Sequence, residues 1–172
     1  MTTNIQPINK ELFNRDSWST PQYLFDWLNS IYKFDIDLCA DSENKKCDYW
    51  YGVEDDALTF RWNHLNTGFC NPPYSSIKPW VKKAIEEVSN GFTTVMLIPT
   101  PNGESYYKDV FDHAKSITFI TGRIAFYNPH LKKLVGGNTR GSCVVEFSKT
   151  FKYSKPEIYH ILRDDLIARY SK

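Results

Sequence analysis

The four residues Asn71–Tyr74, with the sequence NPPY, combine hydrogen-bond acceptors, a stiff backbone and an aromatic ring. The Asn71 side-chain oxygen and the Pro72 carbonyl are acceptors, and the two prolines reduce the ordering that binding a ligand would require. Tyr74 offers a flat ring on which a planar ligand can stack. The set fits an exocyclic amino group on a heteroaromatic ring, because two N–H donors would meet two acceptors.

The chemistry that such a loop favours is the transfer of a group to the amino nitrogen. An amine conjugated to a ring is a poor nucleophile, and two well-placed acceptors favour a more pyramidal nitrogen with a freer lone pair. Positioning and electrostatics would then supply most of the catalysis, with no strong general base needed before attack. The alternative is a proline-rich turn with a surface tyrosine, and a four-residue string alone does not decide between the two.

The segments around the loop predict an α/β fold with a mostly parallel sheet, because near-continuous apolar strands alternate with amphipathic helices. A strand at 68–70 leads into the loop, and apolar residues at helical spacing predict a helix at 77–88. Ligands of open α/β sheets bind beyond the carboxyl ends of the strands, where this loop would lie. The other predicted helices span 21–32 and 105–114, and the other predicted strands span 34–40, 49–51, 93–98, 117–121 and 142–147.

Composition and charge exclude several classes of protein. The chain has 172 residues, 41% hydrophobic and 24% charged, which are values typical of one globular domain and not of a disordered or repetitive chain. The net charge of +1 excludes a polycation, so nucleic-acid contacts would come from a local basic patch. The sequence shows no secretory signal and no apolar run long enough to cross a membrane, which predicts a cytoplasmic protein.

The four cysteines are expected to be free thiols of a reducing compartment. Cys39, Cys70 and Cys143 lie in apolar runs and are predicted to be buried, whereas Cys47 lies in a polar stretch and is predicted to be a surface thiol. A disulfide is the alternative. Because no C-x-x-C pair occurs, no metal site is expected.

In combination and order, these motifs resemble the phage- and prophage-type (Dam-like) DNA adenine-N6 methyltransferases, which use S-adenosylmethionine. The resemblance covers about residues 16–147. It implies a Rossmann-like methyltransferase fold with helices on both faces of the sheet and an antiparallel last strand. The segments that carry it are WSTP at 18–21, FDIDLCA at 34–40, Asn44 with Cys47, DAL at 56–58 with Trp62, NPPY at 71–74, VMLIP at 95–99 and GRIAF at 122–126.

The resemblance implies three groups of functional residues, and the target adenine would be extruded from the duplex. The catalytic residues would be Asn71, Pro72, Pro73 and Tyr74. The residues around the cofactor S-adenosylmethionine would be Trp18, Thr20, Pro21, Asp37, Ala40, Asn44, Asp56 and Asn71. The residues in contact with DNA would be Arg123, Phe126, Tyr127, Lys132, Lys133 and Arg140.

The residues themselves leave alternatives for Asp37 and Asp56. An acidic residue at the end of a strand either holds a ligand or caps the segment that follows. Asp55 is adjacent to Asp56, so the register at that position is undecided. The Gly-rich loop usual after the first strand of methyltransferases is replaced by CADSEN at 39–44, a replacement that the phage-type group shares.

A basic segment follows the loop in sequence. Between His113 and Val145 no acidic residue occurs, and a loop at 127–141, within a recognition region at about 122–142, is predicted to contact phosphates. A solvated hairpin with ordinary surface lysines is the alternative. Phe126 and Tyr127 would support the extruded base from the side opposite Tyr74 or would belong to the core. Likewise, a phosphate contact or a solvent-exposed helix face would explain Lys78, Lys82 and Lys83.

The expected activity is therefore methyl transfer from S-adenosylmethionine to N6 of adenine in DNA, without a metal. The expected organisation is a flexible arm at 1–15 and a single domain at 16–172, acting as a monomer or weak homodimer. One alternative is an amino-methyltransferase that acts on cytosine N4, RNA or protein glutamine. The other is a catalytically silent DNA-binding module that retains the fold.

Overall fold

A computed structural model of the chain describes residues 15–62, 66–136, 138–149 and 155–171. The predicted N-terminal arm lies outside the described residues except for its last position. The helices are α1 (Gln22–Tyr32), α2 (Ile77–Ser89), α3 (Tyr106–His113) and α4 (Arg163–Tyr170). The strands are β1 (Ile36–Asp37), β2 (Tyr49–Trp50), β3 (Thr67–Cys70), β4 (Thr93–Pro99), β5 (Ser116–Thr121), β6 (Phe126–Asn128), β7 (Lys133–Val135), β8 (Ser142–Phe147) and β9 (Glu157–Leu162).

Seven of these strands form one sheet in the order β2-β1-β3-β4-β8-β5-β9. All neighbouring pairs are parallel except those of β8, which runs antiparallel to both β4 and β5. The prediction of a mostly parallel sheet, with the strand at 142–147 antiparallel, is confirmed. One further strand, β9, follows it and pairs in parallel with β5, because the chain crosses back to that edge before α4.

Alternate side chains of β4 point into two separate hydrophobic clusters, so helices cover both faces of the sheet. Met96 and Ile98 join the cluster that contains the buried side of α2 and α3. Val95 and Leu97 join the cluster that contains α1 and Leu166 of α4. The four strand residues are completely buried, as expected for a central strand that is covered on both faces.

Helix α1 begins one residue later than predicted and ends where predicted. Pro21 occupies the N-cap in an extended conformation, so Thr20 lies before the cap instead of forming it. The apolar face consists of Tyr23, Leu24, Phe25 and Leu28, which pack on the sheet. The helix ends at Tyr32, because Lys33 adopts the left-handed conformation with φ 53°.

The contact between β1 and β3 requires a glycine at position 68. A Cβ built there would lie 2.7 Å from Leu38 Cδ1 and 2.9 Å from Phe92 Cζ, which is closer than such atoms can approach. The strand predicted at 34–40 is observed as β1, in which only two residues have the regular hydrogen bonding of a strand. The pairing with β3 continues on both sides, since the Asp35 N–H donates to the Thr67 carbonyl and the Leu38 N–H to the Phe69 carbonyl.

A buried ion pair lies on the inner face of α2. Lys83 Nζ is 2.5 Å from Glu87 Oε1, and the two side chains are only 6% and 0% exposed. The Lys83 ammonium also lies 5.7 Å from the centre of the Trp62 ring. Neither interpretation of Lys83 from the sequence is therefore correct, because this lysine lies in the core and not on an exposed or DNA-facing surface. Lys78 and Lys82 are exposed.

The four cysteines are free thiols. Cys70 and Cys143 are buried as predicted, whereas Cys39 is only half-buried. Cys47 is also half-buried, because its side chain packs against the cluster around α1. The prediction of a surface thiol at position 47 is thus wrong: the polar sequence around it lies on a loop that folds back over the helix.

Candidate active site

The NPPY loop directly follows β3, at the point where the order of the sheet reverses. From β1 the chain moves outward to β2 and then returns to β3 on the other side of β1. Asp37 at the end of β1 and Asn71 after β3 therefore lie on either side of the crevice in which open α/β sheets bind ligands. Pro72 is buried, and Asn71, Pro73 and Tyr74 are half-buried.

The Asn71 amide has a defined orientation. Its Nδ2 donates to the Trp18 carbonyl at 3.4 Å, and its Oδ1 is buried without a hydrogen-bond partner among the described residues. A buried polar atom without a partner costs free energy, and native structures contain few of them. Oδ1 is therefore available to accept a hydrogen bond from a ligand.

Tyr74 forms part of the wall of a cleft of about 380 Å³, a size suited to a small planar ligand. Its ring meets Phe126 edge-to-face, with centroids 6.1 Å apart and planes at 81°. Burial raises the pKa of the Tyr74 hydroxyl above its ordinary value of 10.0, so the ring stays neutral at physiological pH. Tyr106, whose hydroxyl is buried without a partner among the described residues, lies on the same cleft.

A second, narrow cleft lies on the other side of Asn71. It is lined by five of the residues predicted around the cofactor and opens into a wider groove beside Pro21. The Thr20 hydroxyl on this cleft is buried without a partner among the described residues. The five residues that line the cleft are Trp18, Thr20, Asp37, Asn44 and Asn71.

The Asp37 carboxylate is buried at the floor of this second cleft. It accepts backbone N–H bonds from Cys39 at 3.3 Å and from Lys46 at 3.1 Å. Burial raises its pKa to about 6, although these two hydrogen bonds act in the opposite direction. Asp37 thus shapes the loop that stands in place of a Gly-rich turn, and it faces the cleft as well.

Two of the residues predicted around the cofactor lie apart from this cleft. The Ala40 N–H is taken by the Tyr51 carbonyl, which fixes the backbone beyond β1. Asp56 is exposed, with a left-handed backbone at φ 45°, after a short turn at Val53–Asp55. The structure does not bring either residue to the wall that Asp37 and Asn71 share.

The segment predicted as a basic loop contains an antiparallel hairpin formed by β6 and β7. Lys132 and Lys133 are exposed at and just after its turn, where Lys132 has a left-handed backbone with φ 50°. Tyr127 is 36% exposed and pairs through its backbone with Ser19. The hairpin therefore lies beside both the cofactor-side groove and the NPPY loop.

A comparison with families of known proteins is decisive at this point. The sequence profile of the family described as DNA N-6-adenine-methyltransferase (Dam) matches residues 8–170. The chain belongs to the Dam family. The observed sheet, with one antiparallel strand between β4 and β5, is consistent with the Rossmann-like methyltransferase fold.

Two phage proteins are similar to this Dam-family chain over most of its length. A DNA N-6-adenine-methyltransferase of Escherichia phage T1 is 33% identical over 146 residues, which cover 76% of this chain and 61% of the relative. A DNA N-6-adenine-methyltransferase of Haemophilus phage HP1 is 30% identical over 151 residues, covering 84% of this chain and 86% of the relative. The alignment thus spans less than two thirds of the T1 protein.

Two of the predicted DNA contacts are engaged by other side chains in this Dam-family chain, and a third, Arg123, stays a prediction. Arg140 forms an ion pair with Glu104 at the mouth of the 380 Å³ cleft, so a phosphate would compete with that carboxylate. Phe126 is buried in the cluster around α1 and touches Tyr74 directly, which leaves no parallel-walled slot between the two rings. Arg123 is exposed, and its carbonyl accepts a hydrogen bond from Arg163.

Several residues at the two clefts were missed by the sequence analysis. Tyr106 and Glu104 line the cleft next to Tyr74, and Arg169 of α4 lines the wider groove. Asp16 binds Ser75, directly after the NPPY loop. None of these residues forms a motif, and each reaches the site only through packing between elements that are distant in sequence.

Among the residues that the structure describes, no group of three or more His, Cys, Asp or Glu side chains is placed to hold a metal ion. Within the same ranges, no helix is both long and apolar enough to span a membrane.

Proposed function

We propose that this chain transfers the methyl group of S-adenosylmethionine to N6 of an adenine in DNA. The observation that carries the proposal is the buried Oδ1 of Asn71, which has no partner among the described residues, in a residue that lines the narrow cleft with Asp37 and precedes Tyr74 by three positions. The exocyclic amine of adenine supplies the N–H donor that this acceptor lacks. Membership of the Dam family, and the names of the T1 and HP1 relatives, support adenine in DNA over the other acceptors.

In the proposed mechanism, Asn71 Oδ1 and the Pro72 carbonyl accept the two N–H bonds of the amine. These contacts orient the nitrogen lone pair toward the cofactor-side cleft and stabilise the positive charge that develops on the nitrogen. S-adenosylmethionine, when bound, would supply a methyl group whose bond to sulfur breaks as the bond to the amino nitrogen forms, with S-adenosylhomocysteine as the leaving group. The proton held at Asn71 Oδ1 becomes acidic once the nitrogen has gained a carbon, so it leaves to solvent without a dedicated base.

The target base must leave the duplex to reach this loop, because its amino group is otherwise paired and stacked. We propose that the base stacks on Tyr74 within the 380 Å³ cleft. Phe126 meets Tyr74 at 81°, so its role in the proposal is to hold the tyrosine ring from the side. In this proposal Phe126 therefore does not support the base from the side opposite Tyr74.

The residues on the second cleft and on the wider groove that adjoins it fit the proposed cofactor. The cleft encloses only about 30 Å³, so most of the cofactor would lie in the groove, whose volume is about 950 Å³. The Thr20 hydroxyl is a buried polar group without a partner among the described residues, and it would gain one from a polar ligand. The Asp37 carboxylate would attract the ammonium group of the methionine part. Trp18, Asn44 and Asn71 would complete the walls, and Pro21 would border the entrance. For Ala40 and Asp56 a cofactor contact stays a prediction.

The affinity for S-adenosylmethionine is expected to fall as the pH drops through about 6. Burial raises the pKa of Asp37 to about 6, so below that pH the neutral carboxyl no longer attracts an ammonium group. Titration calorimetry at several pH values measures the effect. The matched variant Asp37→Asn should bind weakly and show no such dependence, and a wild-type affinity that is constant across this range would contradict the role of Asp37.

Folding stability is expected to change in the opposite direction over the same range. The pKa of Asp37 is higher in the folded chain than its ordinary value of 3.8, so the folded state binds more protons between the two values. The free energy of unfolding should therefore decrease as the pH rises from about 4 to about 6, by up to about 3 kcal/mol from this group alone. Urea titrations separate this effect from the change in affinity.

The β6–β7 hairpin is the proposed DNA-binding element, and its lysines are expected to contact phosphates. Replacing both Lys132 and Lys133 by alanine should weaken DNA binding and reduce the slope of log affinity against log salt by up to about 2, since each phosphate contact contributes about 0.9. Binding measured at several salt concentrations gives this slope. Lys108→Ala, an exposed lysine on α3, is the control and should leave the slope unchanged. An unaltered slope in the double variant would contradict the proposed contact.

The activity itself is tested by methylating DNA in vitro and identifying the modified nucleoside by mass spectrometry. The expected product is N6-methyladenine, formed only when S-adenosylmethionine is present. N4-methylcytosine, or methylation of RNA or protein alone, would overturn the assignment of the acceptor. No transfer to any of them, together with DNA binding, would favour a silent DNA-binding module.

A further inference from the structure

Residues 16–19, here called the anchor segment, are fixed at both ends. At one end the Asp16 carboxylate accepts two hydrogen bonds from Ser75, one from the backbone N–H at 3.1 Å and one from the hydroxyl at 2.6 Å. At the other end Ser19 and Tyr127 exchange two backbone hydrogen bonds, at 2.9 and 3.0 Å. The segment therefore links the NPPY loop to the β6–β7 hairpin.

Trp18 lies between these two fixed ends, and its carbonyl accepts the hydrogen bond from Asn71 Nδ2. This contact determines which end of the amide points away from the anchor segment. With Nδ2 bound to Trp18, Oδ1 is available as the acceptor for the substrate amine. If the amide were turned by half a rotation, its N–H groups would face the N–H groups of the amine, and donors would meet donors.

The hydrogen bond from Asn71 Nδ2 is long, at 3.4 Å, so it does not hold the amide by its own strength. Its geometry depends on where the backbone of Trp18 is held. The hydroxyl bond to Asp16, in contrast, is short and involves a charged acceptor, which makes it one of the stronger kinds of hydrogen bond. The hydrogen bond between Asp16 and Ser75 is thus the strong contact that holds the anchor segment against the NPPY loop.

We infer that Asp16 is a positioning residue, which holds the anchor segment against Ser75 so that the Trp18 carbonyl selects the productive orientation of the Asn71 amide. The inference rests on the proposed function, because only an amine-binding role makes this orientation important. It adds to that function a residue on the wall of the narrow cleft whose role is to position Asn71 and not to bind the amine. Asp16 acts through the backbone of its own segment.

The test compares Asp16→Ala with wild type by steady-state kinetics and by the side-chain amide signals of Asn71 in nitrogen-15 NMR spectra. The kcat should fall by roughly 10- to 100-fold, because a small misplacement of a catalytic group has an effect of this size. The KM for DNA and the Kd for S-adenosylmethionine should stay within about twofold of wild type. The Asn71 amide signals should shift or broaden. Asp16→Asn, which keeps one acceptor for the Ser75 N–H, should recover part of the kcat.

Further variants separate positioning from stability. Ser75→Ala should reduce kcat less than Asp16→Ala, and combining the two should add little, because both remove the same contact. Ser75→Ala alone also tests the inference if Asp16→Ala fails to fold. Asp112→Asn, which changes an exposed carboxylate on α3, is the control and should change neither kcat nor the Asn71 signals.

Two results would overturn the inference. One is an unchanged set of Asn71 signals in folded Asp16→Ala and Ser75→Ala. The other is a loss of activity that appears entirely in KM or in thermal stability. A wild-type protein that methylates no adenine would instead contradict the proposed function, and the NMR comparison would still report whether Asp16 orients Asn71.

Discussion

Asn71→Ala is expected to lower the rate constant of methyl transfer by about 10²- to 10³-fold or more, while the chain folds normally. The variant removes the buried Oδ1 that we propose as the acceptor for the amine N–H. Removing one preorganised hydrogen-bonding group aimed at developing charge costs about 3–4 kcal/mol in comparable sites. Single-turnover measurements with saturating S-adenosylmethionine and DNA give the rate constant directly.

A matched asparagine provides the control for this experiment. Asn66 is exposed just before β3, four residues ahead of Cys70, so Asn66→Ala alters the same strand away from the catalytic loop. It should retain wild-type activity. The affinity of Asn71→Ala for S-adenosylmethionine should change by less than about tenfold, since Asn71 is one of several residues on that cleft. Wild-type transfer rates in Asn71→Ala would exclude the mechanism.

The largest expected loss of stability follows from Glu87→Ala, which should lower the free energy of unfolding by about 3–5 kcal/mol. Lys83 is only 6% exposed, so the substitution leaves a buried ammonium without its closest partner. Asn90 Nδ2 loses its acceptor at the same time. Glu86 is 3.8 Å from the same ammonium, but it is 66% exposed and replaces the lost contact only in part. Urea unfolding monitored by tryptophan fluorescence measures the loss.

The neighbouring residue Glu86 supplies the control on the same helix. Glu86→Ala should change the free energy of unfolding by less than about 0.5 kcal/mol, because its side chain lies in solvent. The double substitution of Lys83 by methionine and Glu87 by leucine should be near wild type, since it removes both charges together. Equal losses in Glu86→Ala and Glu87→Ala would show that the buried pair has no special role.

The pH dependence of unfolding should reflect the same pair. Burial acts to raise the pKa of Glu87, but hydrogen bonds from Lys83 and Asn90 prevail and hold it below the usual value. A carboxyl whose pKa is lower in the folded state stabilises the fold above its unfolded pKa and loses this contribution as the pH falls through the folded value. Its contribution therefore disappears at acid pH, and the double variant without either charge should lack this part of the acid response.

Helices and central strands could be predicted from the sequence because their signals are local. The apolar spacing of α2 and the unbroken run of β4 define elements within one or two residues of those observed. The strand β9 was not predicted. It lies at the edge of the sheet, and its apolar residues Ile158, Tyr159 and Leu162 are substantially exposed, so the strand does not have the alternation of apolar and polar residues that a half-buried strand shows in its sequence. The segment with β6 and β7 was expected to be a loop because it is rich in Asn, Gly and basic residues, with a hairpin as the alternative, and the two observed strands have only three residues each.

The chemistry proposed for the NPPY loop could be inferred from the sequence because four adjacent residues would carry it. The contacts that orient the loop could not, because they join residues far apart in the chain. Asp16 and Ser75 are 59 positions apart, and Arg140 and Glu104 are 36 apart. Such pairs form only once the sheet has brought the ends of separate strands together, and a single sequence contains no local pattern that indicates them.

Gly68 leaves room for two side chains of the core beside the strand that leads into Asn71. A Cβ at this position would press on Leu38, which follows Asp37 at the end of β1, and on Phe92, which precedes β4. Any larger residue would therefore displace packing directly beneath the crevice between Asp37 and Asn71.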